Sequence, residues 1–504
     1  MTEEAQRETV AFLSDPQAHG GAKVETITTH ASIVFMAGDR VFKLKRAVKY
    51  SYLDFSTVDL RRKSCEAELT LNRRTAPQLY LDVQPVTREA DGNLALGGKG
   101  EAVDWLVVMR RFPQEALFSH LAEADRLTPD LMRRLADRIA AFHREAEVMP
   151  DFGGLGGVEQ VIGINDESLR RDGPPEIPVS EAAALTVAAR QSLGTLAALL
   201  EQRRASGKAR QCHGDLHLRN ICLIDGEPTL FDCIEFNPSL AAIDVLYDLA
   251  FLLMDLRYRG HATEAGIVFN RYLDVSDESD GLAALPLFLS LRAWVRAHVT
   301  ATAARSGAGD AAEARRYFDL ARDLLKPHRP RLVAIGGFSG TGKSTIAAIL
   351  AGRIGHAPAA RVLRSDVIRK RQFGAAPEQR LPAGAYAPDA SRRVYEALEQ
   401  EAKQVIDADW SVIIDAVSAK PEERAAFAAL AQRLNVPFDG LWLEAPSEVL
   451  KQRIGTRKND ASDADLAVLE KQLGYDLGAL DWHRIDASAA PDAVANVALQ
   501  AISR

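Results

Sequence analysis

The residues with the clearest chemistry lie at positions 337–344, where the sequence GFSGTGKS fits the phosphate-binding pattern G-x-x-x-x-G-K-[ST]. An apolar run at 332–335 precedes them and a helix-forming run at 345–350 follows, so the pattern lies between a strand and a helix. Its glycines allow backbone N–H groups to surround a phosphate chain, and the helix N-terminus adds positive potential. The residues predicted to bind the nucleotide here are Gly337, Ser339, Gly340, Thr341, Gly342, Lys343, Ser344 and Thr345.

Side chains in and after this loop predict transfer of a phosphoryl group. Lys343 would reach the β- and γ-phosphates, and the Ser344 hydroxyl would bind Mg²⁺. Asp366 follows a predicted strand and could accept the proton of an acceptor hydroxyl. Asp415 ends the apolar run Val-Ile-Ile-Asp and would hold Mg²⁺ or its waters. The predicted cofactors are therefore ATP and Mg²⁺.

Two arginines further along are candidates for stabilising the transferred phosphate. Arg453 and Arg457 are four residues apart, on one face of a helix predicted at 449–458. Two guanidinium groups above the phosphate would offset the charge that develops there, which predicts a catalytic role for both. Considered alone, the pair is also typical of an ordinary solvent-exposed helix. The acidic run at 460–465 could fasten this helix as a lid.

A second group of reactive residues lies upstream, in the sequence HGDLHLRN at 213–220. Four residues separate Asp215 from Asn220, which is the interval of the protein-kinase catalytic loop. Asp232 follows a short predicted strand, where a metal-binding aspartate belongs. Phosphoryl transfer needs one carboxylate that accepts the proton of the acceptor hydroxyl. It also needs an amide and a second carboxylate that hold Mg²⁺. Asp215 is therefore predicted to be catalytic, and Asn220 and Asp232 to be metal ligands; simple turn capping is the alternative.

A kinase site of this kind also needs a lysine and a glutamate from the preceding strands and helix. In the strand predicted at 40–44, alternation places Val41 and Lys43 on the same face as Lys45. Lys43 is preferred because the residue two positions before the lysine should be apolar, and Val41 is. Glu68 is the preferred partner on the helix predicted at 56–73, although a solvated glutamate explains it as well.

These upstream motifs resemble the aminoglycoside phosphotransferase-like kinase family. The resemblance is carried by HGDLHLRN, by FDCIEF at 231–236, by DVLYDLA at 244–250 and by Ala-Phe-His at 141–143. It implies a two-lobed, protein-kinase-like fold that phosphorylates small hydroxylated molecules, with Asp248 in a structural role. The chain departs from the kinase pattern in one respect, because no G-x-G-x-x-G motif precedes Lys43. The segment 110–113 would be the hinge that contacts the nucleotide base.

The downstream motifs resemble P-loop kinases related to polynucleotide kinase, zeta-type toxins and small sugar kinases. The resemblance extends over residues 331–486 and is carried by RSDVIRK, by VIIDA and by the arginines followed by NDASDAD. It implies a kinase, since the sequence contains neither the Asn-Lys-x-Asp motif of switch GTPases nor the further sensor motifs of AAA-type motors.

The order of predicted elements indicates two modules. Residues 1–326 would form an α+β two-lobed kinase-like fold, with a strand-rich lobe over about 1–110 and a helical lobe over about 111–326. Residues 327–504 would form an α/β P-loop kinase fold, because strands and helices alternate there as in a parallel sheet. The segment 157–185 is predicted to be a connector or a substrate loop.

Composition limits the partners and the cellular location that the sequence predicts. The net charge of −7 gives no general attraction to nucleic acid, so a nucleic-acid partner is possible but not favoured. No uninterrupted apolar run approaches the roughly 20 residues of a membrane span, and no membrane partner is expected. Four cysteines and an acidic start without a signal-peptide core predict a cytoplasmic protein. No pattern indicates an oligomeric state.

The leading hypothesis is a bifunctional ATP-dependent phosphotransferase. Its first module would phosphorylate a hydroxyl of a small molecule, and its second would be a P-loop kinase for a small-molecule hydroxyl. Two alternatives stay open at this point. The P-loop module could be a nucleic-acid end kinase, or one module could be a nucleotide-sensing regulator of the other.

Overall fold

The structure is a computed structural model that describes residues 6–29, 31–50, 53–305, 309–456 and 461–502. The chain forms two compact units. The first combines Met1–Ile164 with Leu193–Asp255, and the second combines Asn165–Ser192 with Leu256–Arg504. The module boundary at 326/327 stays a prediction.

The predicted fold class is confirmed, with a kinase-like α+β fold followed by an α/β P-loop fold. The first unit contains a six-stranded antiparallel sheet in the order β1-β2-β3-β8-β6-β7. Alternating apolar residues, among them Phe35, Leu44 and Leu106, are fully buried on one face of this sheet. The strands up to the end of this sheet are β1 (Val24–Thr28), β2 (Ser32–Ala37), β3 (Arg40–Lys45), β4 (Lys49–Tyr50), β5 (Leu53–Asp54), β6 (Tyr80–Arg88), β7 (Leu94–Leu96) and β8 (Glu101–Arg110).

Four short strands follow and form two-stranded ribbons, one of which leads to the predicted metal ligand Asp232. They are β9 (Ala209–Gln211), β10 (Ile221–Ile224), β11 (Glu227–Leu230) and β12 (Ala242–Asp244). The helices that begin in this part of the chain are α1 (Arg7–Ser14), α2 (Val58–Asn72), α3 (Phe118–Glu123), α4 (Pro129–Glu145), α5 (Gly154–Asp172), α6 (Val179–Ala205), α7 (Pro238–Ala241) and α8 (Val245–Tyr258).

The lobe over about 1–110 contains two helices rather than the single helix expected there, because the short α1 precedes α2. The segment 157–185 is mostly helical, because α5 and α6 occupy all of it except six residues. Its role as a connector or a substrate loop stays a prediction. The helix expected at 56–73 is α2, where the Thr57 hydroxyl accepts the N-terminal hydrogen bond from Leu60 N–H.

The second unit contains a five-stranded parallel sheet in the order β14-β15-β13-β16-β17. Its strands are β13 (Leu332–Gly336), β14 (Arg361–Arg364), β15 (Val412–Asp415), β16 (Phe438–Glu444) and β17 (His483–Asp486). Parallel strands bring their carboxyl ends to one edge, where the register aligns Asp415 with Arg364 and with Ile335. The phosphate-binding loop follows β13 at the same edge.

Ten helices are described in the second unit beyond its boundary at Leu256. They are α9 (Ala262–Val275), α10 (Leu285–Arg305), α11 (Ala311–Leu324), α12 (Lys343–Ala351), α13 (Ser365–Gln372), α14 (Pro388–Asp407), α15 (Pro421–Arg433), α16 (Ser447–Thr456), α17 (Leu466–Leu473) and α18 (Pro491–Ile502). Short 3₁₀ turns complete the description at Pro16–His19, Gln114–Ala116, Leu218–Asn220, Ser279–Ala284 and Ala383–Tyr386.

Two helical segments, Val179–Ala205 and Ser279–Arg305, are long and apolar enough to cross a membrane by length and composition alone. In the second, 67% of the apolar window is buried in the protein, as in a core helix, whereas in the first 28% is buried. The expectation of no membrane partner stays a prediction.

Candidate active sites

In the first unit, β3 and α2 bring the predicted lysine and glutamate together. Lys43 Nζ donates to Glu68 Oε1 at 2.9 Å and to Asp232 Oδ1 at 2.6 Å. Glu68 is fully buried, whereas the Asp232 side chain is 40% exposed. Three predicted site residues from distant parts of the sequence therefore form one ion-paired cluster.

Sequence reasoning missed two members of this cluster, Lys45 and Glu235. The Lys45 ammonium pairs with both Glu68 and Glu235, and its side chain is only 2% exposed. Glu235 also accepts a hydrogen bond from Ser64 Oγ at 3.2 Å. Strand alternation places Lys45 on the same face as Lys43. The kinase pattern requires only one lysine, however, and it favours Lys43 because the residue two positions before Lys43 is apolar.

The charges of the cluster are strongly coupled. Burial disfavours the ionised form of Glu68, but Lys43 and Lys45 outweigh that effect and lower its pKa. Burial likewise opposes the charge on Lys43, yet Asp232 and Glu68 hold its pKa well above the usual value. Burial raises the pKa of Glu235 in spite of Lys45. Of the two buried carboxylates, Glu235 therefore takes up a proton before Glu68 as the pH falls.

Asn220 ends the 3₁₀ turn Leu218–Asn220 that precedes β10, and Asp215 lies just before this turn. Asn220 Nδ2 donates to the Asp215 backbone oxygen at 3.0 Å and to Asp215 Oδ2 at 2.8 Å. His217 Nε2 is 3.4 Å from the same carboxylate oxygen. The Asp215 side chain is 37% exposed, so this carboxylate is held by hydrogen bonds and remains open to solvent.

Asp248, which the resemblance assigns a structural role, organises the backbone before Asp215. It is fully buried and accepts hydrogen bonds from His213 N–H at 3.1 Å and Gly214 N–H at 2.8 Å. His143 Nε2 lies 3.0 Å from it. Ligand atoms of His143, Cys212 and Asp248 lie within 4.8 Å of one another, but the Asp248 oxygens already serve these three partners.

The first site offers the oxygen ligands that Mg²⁺ prefers. Asn220 commits its amide nitrogen to Asp215, which leaves the amide oxygen as its metal-binding atom. Asp232 has one oxygen on Lys43 and is partly open to solvent. Asn220 and Asp232 therefore fit a divalent cation with oxygen ligands, and a bound ion would neutralise phosphate charge.

In the second unit, the phosphate-binding loop has the backbone shape that its glycines permit. Gly337 has φ = 136°, and a Cβ there would lie 2.5 Å from the Leu443 carbonyl oxygen. Gly342 has φ = 89° and directly precedes α12. Lys343 Nζ donates to the Phe338 carbonyl at 3.1 Å, so the ammonium lies across the loop.

The serine and the aspartate predicted to serve the metal are in direct contact. Ser344 Oγ donates to Asp415 Oδ2 at 2.6 Å, and Arg364 Nε is 3.3 Å from the same oxygen. Asp415 is buried at the end of β15. A hydroxyl and a carboxylate beside a phosphate-binding loop fit Mg²⁺, which keeps several waters and few protein ligands.

Asp366, the predicted base, lies in the first turn of α13, close to these residues. Burial raises its pKa and Asp415 adds to the effect, while Arg364 and Lys343 oppose it. A carboxylate with a raised pKa is better matched to accepting a proton from a hydroxyl. Ser462, in the segment after α16, donates a hydrogen bond to it.

One of the two predicted arginines is placed at the loop. Arg453 NH1 lies 3.5 Å from the Thr341 carbonyl oxygen and NH2 donates to the Ala487 carbonyl at 2.9 Å. It projects from α16, which ends at Thr456. Arg457 lies outside the described residues, so its predicted role stays a prediction.

Sequence reasoning missed Gln472, whose side chain is buried at the same loop. Gln472 Oε1 accepts the Ser339 N–H at 2.8 Å. Asp463, in the acidic run, accepts from Lys370 Nζ at 2.7 Å and from Leu381 N–H at 2.9 Å. The segment that contains both residues therefore contacts the nucleotide loop at one end and the turn after α13 at the other.

A cavity of about 1530 Å³ connects these groups. It is lined by the P-loop residues and by a mixed set of acidic, basic and phenolic side chains, a surface suited to a polar, hydroxylated acceptor. The lining side chains that the sequence analysis singled out are Lys343, Ser344, Asp366, Asp415 and Arg453.

Two lysine-based phosphate sites, each with its own carboxylates, define an ATP-dependent kinase. Comparison with known protein families agrees with this class, and it matches two separate segments of the chain that contain the two groups of motifs. Residues 57–287 match the model of the phosphotransferase enzyme family (APH), and residues 332–475 match the AAA domain model AAA_33. The family models therefore show an APH phosphotransferase domain followed by an AAA_33 P-loop kinase domain, an order consistent with a fusion of the two.

Relatives share this full length. The uncharacterized protein Rv2004c of Mycobacterium tuberculosis is 29% identical over 475 residues, which cover 92% of each chain. Among solved structures, a choline/ethanolamine kinase family protein from Mesorhizobium loti is 15% identical, covering 64% of this chain and 95% of its own, with a TM-score of 0.41. A sugar kinase from Janibacter sp. HTCC2649 is 26% identical, covering 34% of this chain and 95% of its own, with a TM-score of 0.25.

Proposed function

We propose that the protein is a bifunctional phosphotransferase with two independent ATP sites. The APH domain transfers a phosphoryl group to a hydroxyl of a small molecule, with Asp215 as the base. The P-loop domain transfers one to a small-molecule hydroxyl with Asp366 in that role. Both sites use Mg²⁺, held by Asn220 and Asp232 in the first and by Ser344 and Asp415 in the second.

The observation that supports this proposal is that each unit brings together a lysine, candidate metal ligands and a carboxylate, which are groups that phosphoryl transfer needs. The first unit pairs the phosphate-binding lysine with a glutamate and a metal-site aspartate through contacts of 2.9 and 2.6 Å. The second places a 2.6 Å serine–aspartate contact beside the P-loop lysine. A regulator that only senses nucleotide needs no carboxylate for an acceptor, and each unit has one.

The cysteines support a cytoplasmic location, which is part of the proposal. Cys65, Cys212, Cys222 and Cys233 are all buried, and none of the four forms a disulfide. Reduced, buried thiols suit a compartment that supplies ATP and keeps cysteines reduced. A cell fractionation experiment with the native chain tests this, and recovery in the membrane or secreted fraction would contradict it.

Two substitutions in the full-length chain test the division of labour. Asp215→Asn should abolish transfer from labelled ATP by the first site, and Lys343→Ala should abolish transfer by the second. Each should leave the other product unchanged when the chain is screened against alcohols, sugars, amino-sugars and 5′-hydroxyl oligonucleotides. The exposed Glu66→Gln serves as a matched charge-removal control.

The outcomes separate the alternatives clearly. Loss of both activities by either single substitution would contradict two independent sites. Labelling of the oligonucleotide alone, with its loss in Lys343→Ala, would replace the small-molecule acceptor of the P-loop domain by a nucleic-acid end.

A further inference from the structure

The free edge of the P-loop sheet is covered by a side chain from α9. Asn270 Oδ1 accepts the Val362 N–H at 2.7 Å, and Asn270 Nδ2 donates to the Ala360 carbonyl at 3.1 Å. These are the two backbone groups that a further strand would pair with, because β14 is the edge strand and Arg361 N–H is bonded on its other side to Ser411. The Asn270 amide thus forms the two hydrogen bonds that a neighbouring strand would form with these backbone groups.

The same amide is fully used. Nδ2 also donates to the Gly266 carbonyl at 3.0 Å within α9, and Oδ1 accepts from Arg361 NH1 at 3.2 Å. An asparagine amide offers two donors and two acceptor positions, and all four are taken. The position therefore requires a short side chain with two donors and two acceptor positions, and asparagine provides them.

Two further contacts hold α9 against the P-loop sheet and its helix: a buried ion pair and a close approach between backbones. Arg361 NH2 is 2.7 Å from Asp274 Oδ1, and the Arg361 side chain is 2% exposed. A Cβ added at Gly352, just after α12, would lie 2.7 Å from the Ala262 carbonyl oxygen. Helix α9 therefore contacts both β14 and the end of the P-loop helix.

The strand held in this way leads directly into the candidate active site. β14 ends at Arg364, which contacts Asp415, and Asp366 lies in the first turn of the next helix. A displacement of about 1 Å at such groups can cost roughly 10²-fold in rate. Yet α9 lies within residues 57–287, the stretch that matches the phosphotransferase family.

We propose that Asn270 is a positioning residue for the P-loop kinase reaction, contributed by a helix of the phosphotransferase-matching segment. Through Val362 and Ala360 it fixes β14, and β14 fixes Arg364 and Asp366 relative to the P-loop. This inference rests on the proposed kinase function of the P-loop domain.

The test uses the full-length chain with Asp215→Asn, so that ATP turnover reports the P-loop site. Asn270→Ala should lower kcat about 10- to 100-fold and change KM for ATP less than threefold. Asn270→Asp keeps the acceptor for Val362 N–H but sets a carboxylate against the Ala360 carbonyl, and should fall between. Amide exchange at Val362 should rise in Asn270→Ala. Glu264→Gln, on the same helix with only a 3.8 Å contact to His261, is the matched control.

The results are separable. A kcat loss at temperatures well below the Tm, with faster exchange at Val362 and an unaffected Glu264→Gln, supports the proposal. Wild-type kcat in Asn270→Ala, or a loss without faster exchange at Val362, overturns it. Equal losses in Asn270→Ala and Glu264→Gln overturn it as well. If Lys343→Ala leaves turnover of the Asp215→Asn chain unchanged, the proposed kinase function of the P-loop domain is what fails.

Discussion

Lys43 and Lys343 are both predicted to bind phosphate, but their surroundings differ. Lys43 contacts two carboxylates, one of which it shares with the buried Lys45. Lys343 donates to the carbonyl oxygen of Phe338, five residues earlier in its own loop. The contacts of Lys43 therefore come from side chains distant in sequence, whereas Lys343 contacts the backbone of its own loop. Substitutions in the cluster around Lys43 should change folding and chemistry together, and substitution of Lys343 should mainly change chemistry.

The largest effect expected from this comparison is on the stability of the first unit. Glu68→Gln removes the carboxylate shared by two buried lysines, so the free energy of unfolding should fall by about 3–5 kcal/mol. The pKa of Glu68 is lowered by folding, so its contribution is present above the unfolded pKa of about 4.3 and is lost as the pH falls through the lower folded value. Pulse proteolysis in urea measures the change.

Glu66→Gln on the same helix is the control for that experiment. Glu66 is half exposed and pairs with Arg62 one turn away, so its loss should cost under about 1 kcal/mol. Equal destabilisation by the two substitutions would show that the shared carboxylate does not hold the first site together.

The next largest effect is on catalysis by the P-loop site. Lys343→Met should lower its kcat about 10²–10³-fold, because a cation at the transferred phosphate is lost. Loss of the hydrogen bond from Lys343 to the Phe338 carbonyl should lower the free energy of unfolding by about 1 kcal/mol. Single-turnover transfer and urea unfolding of the same sample test both statements. A destabilisation as large as that of Glu68→Gln would remove the contrast between the sites.

A pH profile sharpens the comparison further. Burial and the neighbouring Asp415 raise the pKa of Asp366, so its base form is lost at a higher pH than for an ordinary aspartate, near 3.9. The kcat of the P-loop site should therefore fall as the pH is lowered, and the acidic limb of its pH profile should have an apparent pKa above that of an ordinary aspartate. Asp389→Asn, which alters an exposed carboxylate of the same cavity, should leave the limb in place. A limb at the ordinary value would exclude Asp366 as the base.

The smallest expected effect concerns the contact between Gln472 and the P-loop backbone. Gln472→Ala removes one hydrogen bond to Ser339 N–H, so ATP affinity should fall about fivefold, or about 1 kcal/mol. Gln472→Glu keeps an acceptor but adds negative charge beside the phosphates, and should weaken binding at least as much. Titration calorimetry with ATP measures both. Tighter ATP binding by either variant would mean that the contact competes with the nucleotide.

Local sequence patterns were sufficient for much of the fold and for the placement of many candidate residues. The P-loop is a continuous segment whose shape depends on its own glycines. Asp415 ends a buried strand, and its contact with Ser344 agrees with the prediction that both residues serve one metal ion. In the first unit, the kinase interval of Asp215 and Asn220 is equally local, and the two side chains are in contact.

The residues that were missed depend on packing between distant segments. Gln472 meets Ser339 across 133 positions, and Asn270 meets Val362 across 92. A glutamine or asparagine on a helix has no spacing that indicates such a partner. Glu235 was missed for another reason, because the comparison with kinase motifs assigned only Asp232 in its loop.

The strand edge covered by Asn270 limits how such a chain can be recombined during evolution. A rearrangement that joins a new N-terminal partner at residue 327 would deliver the P-loop segment with the edge of β14 uncovered. Uncovered edges pair readily with strands of other chains, so such a product would be prone to aggregate. The transferable genetic segment therefore begins upstream of α9, and viable fusions should inherit that helix together with the P-loop sheet.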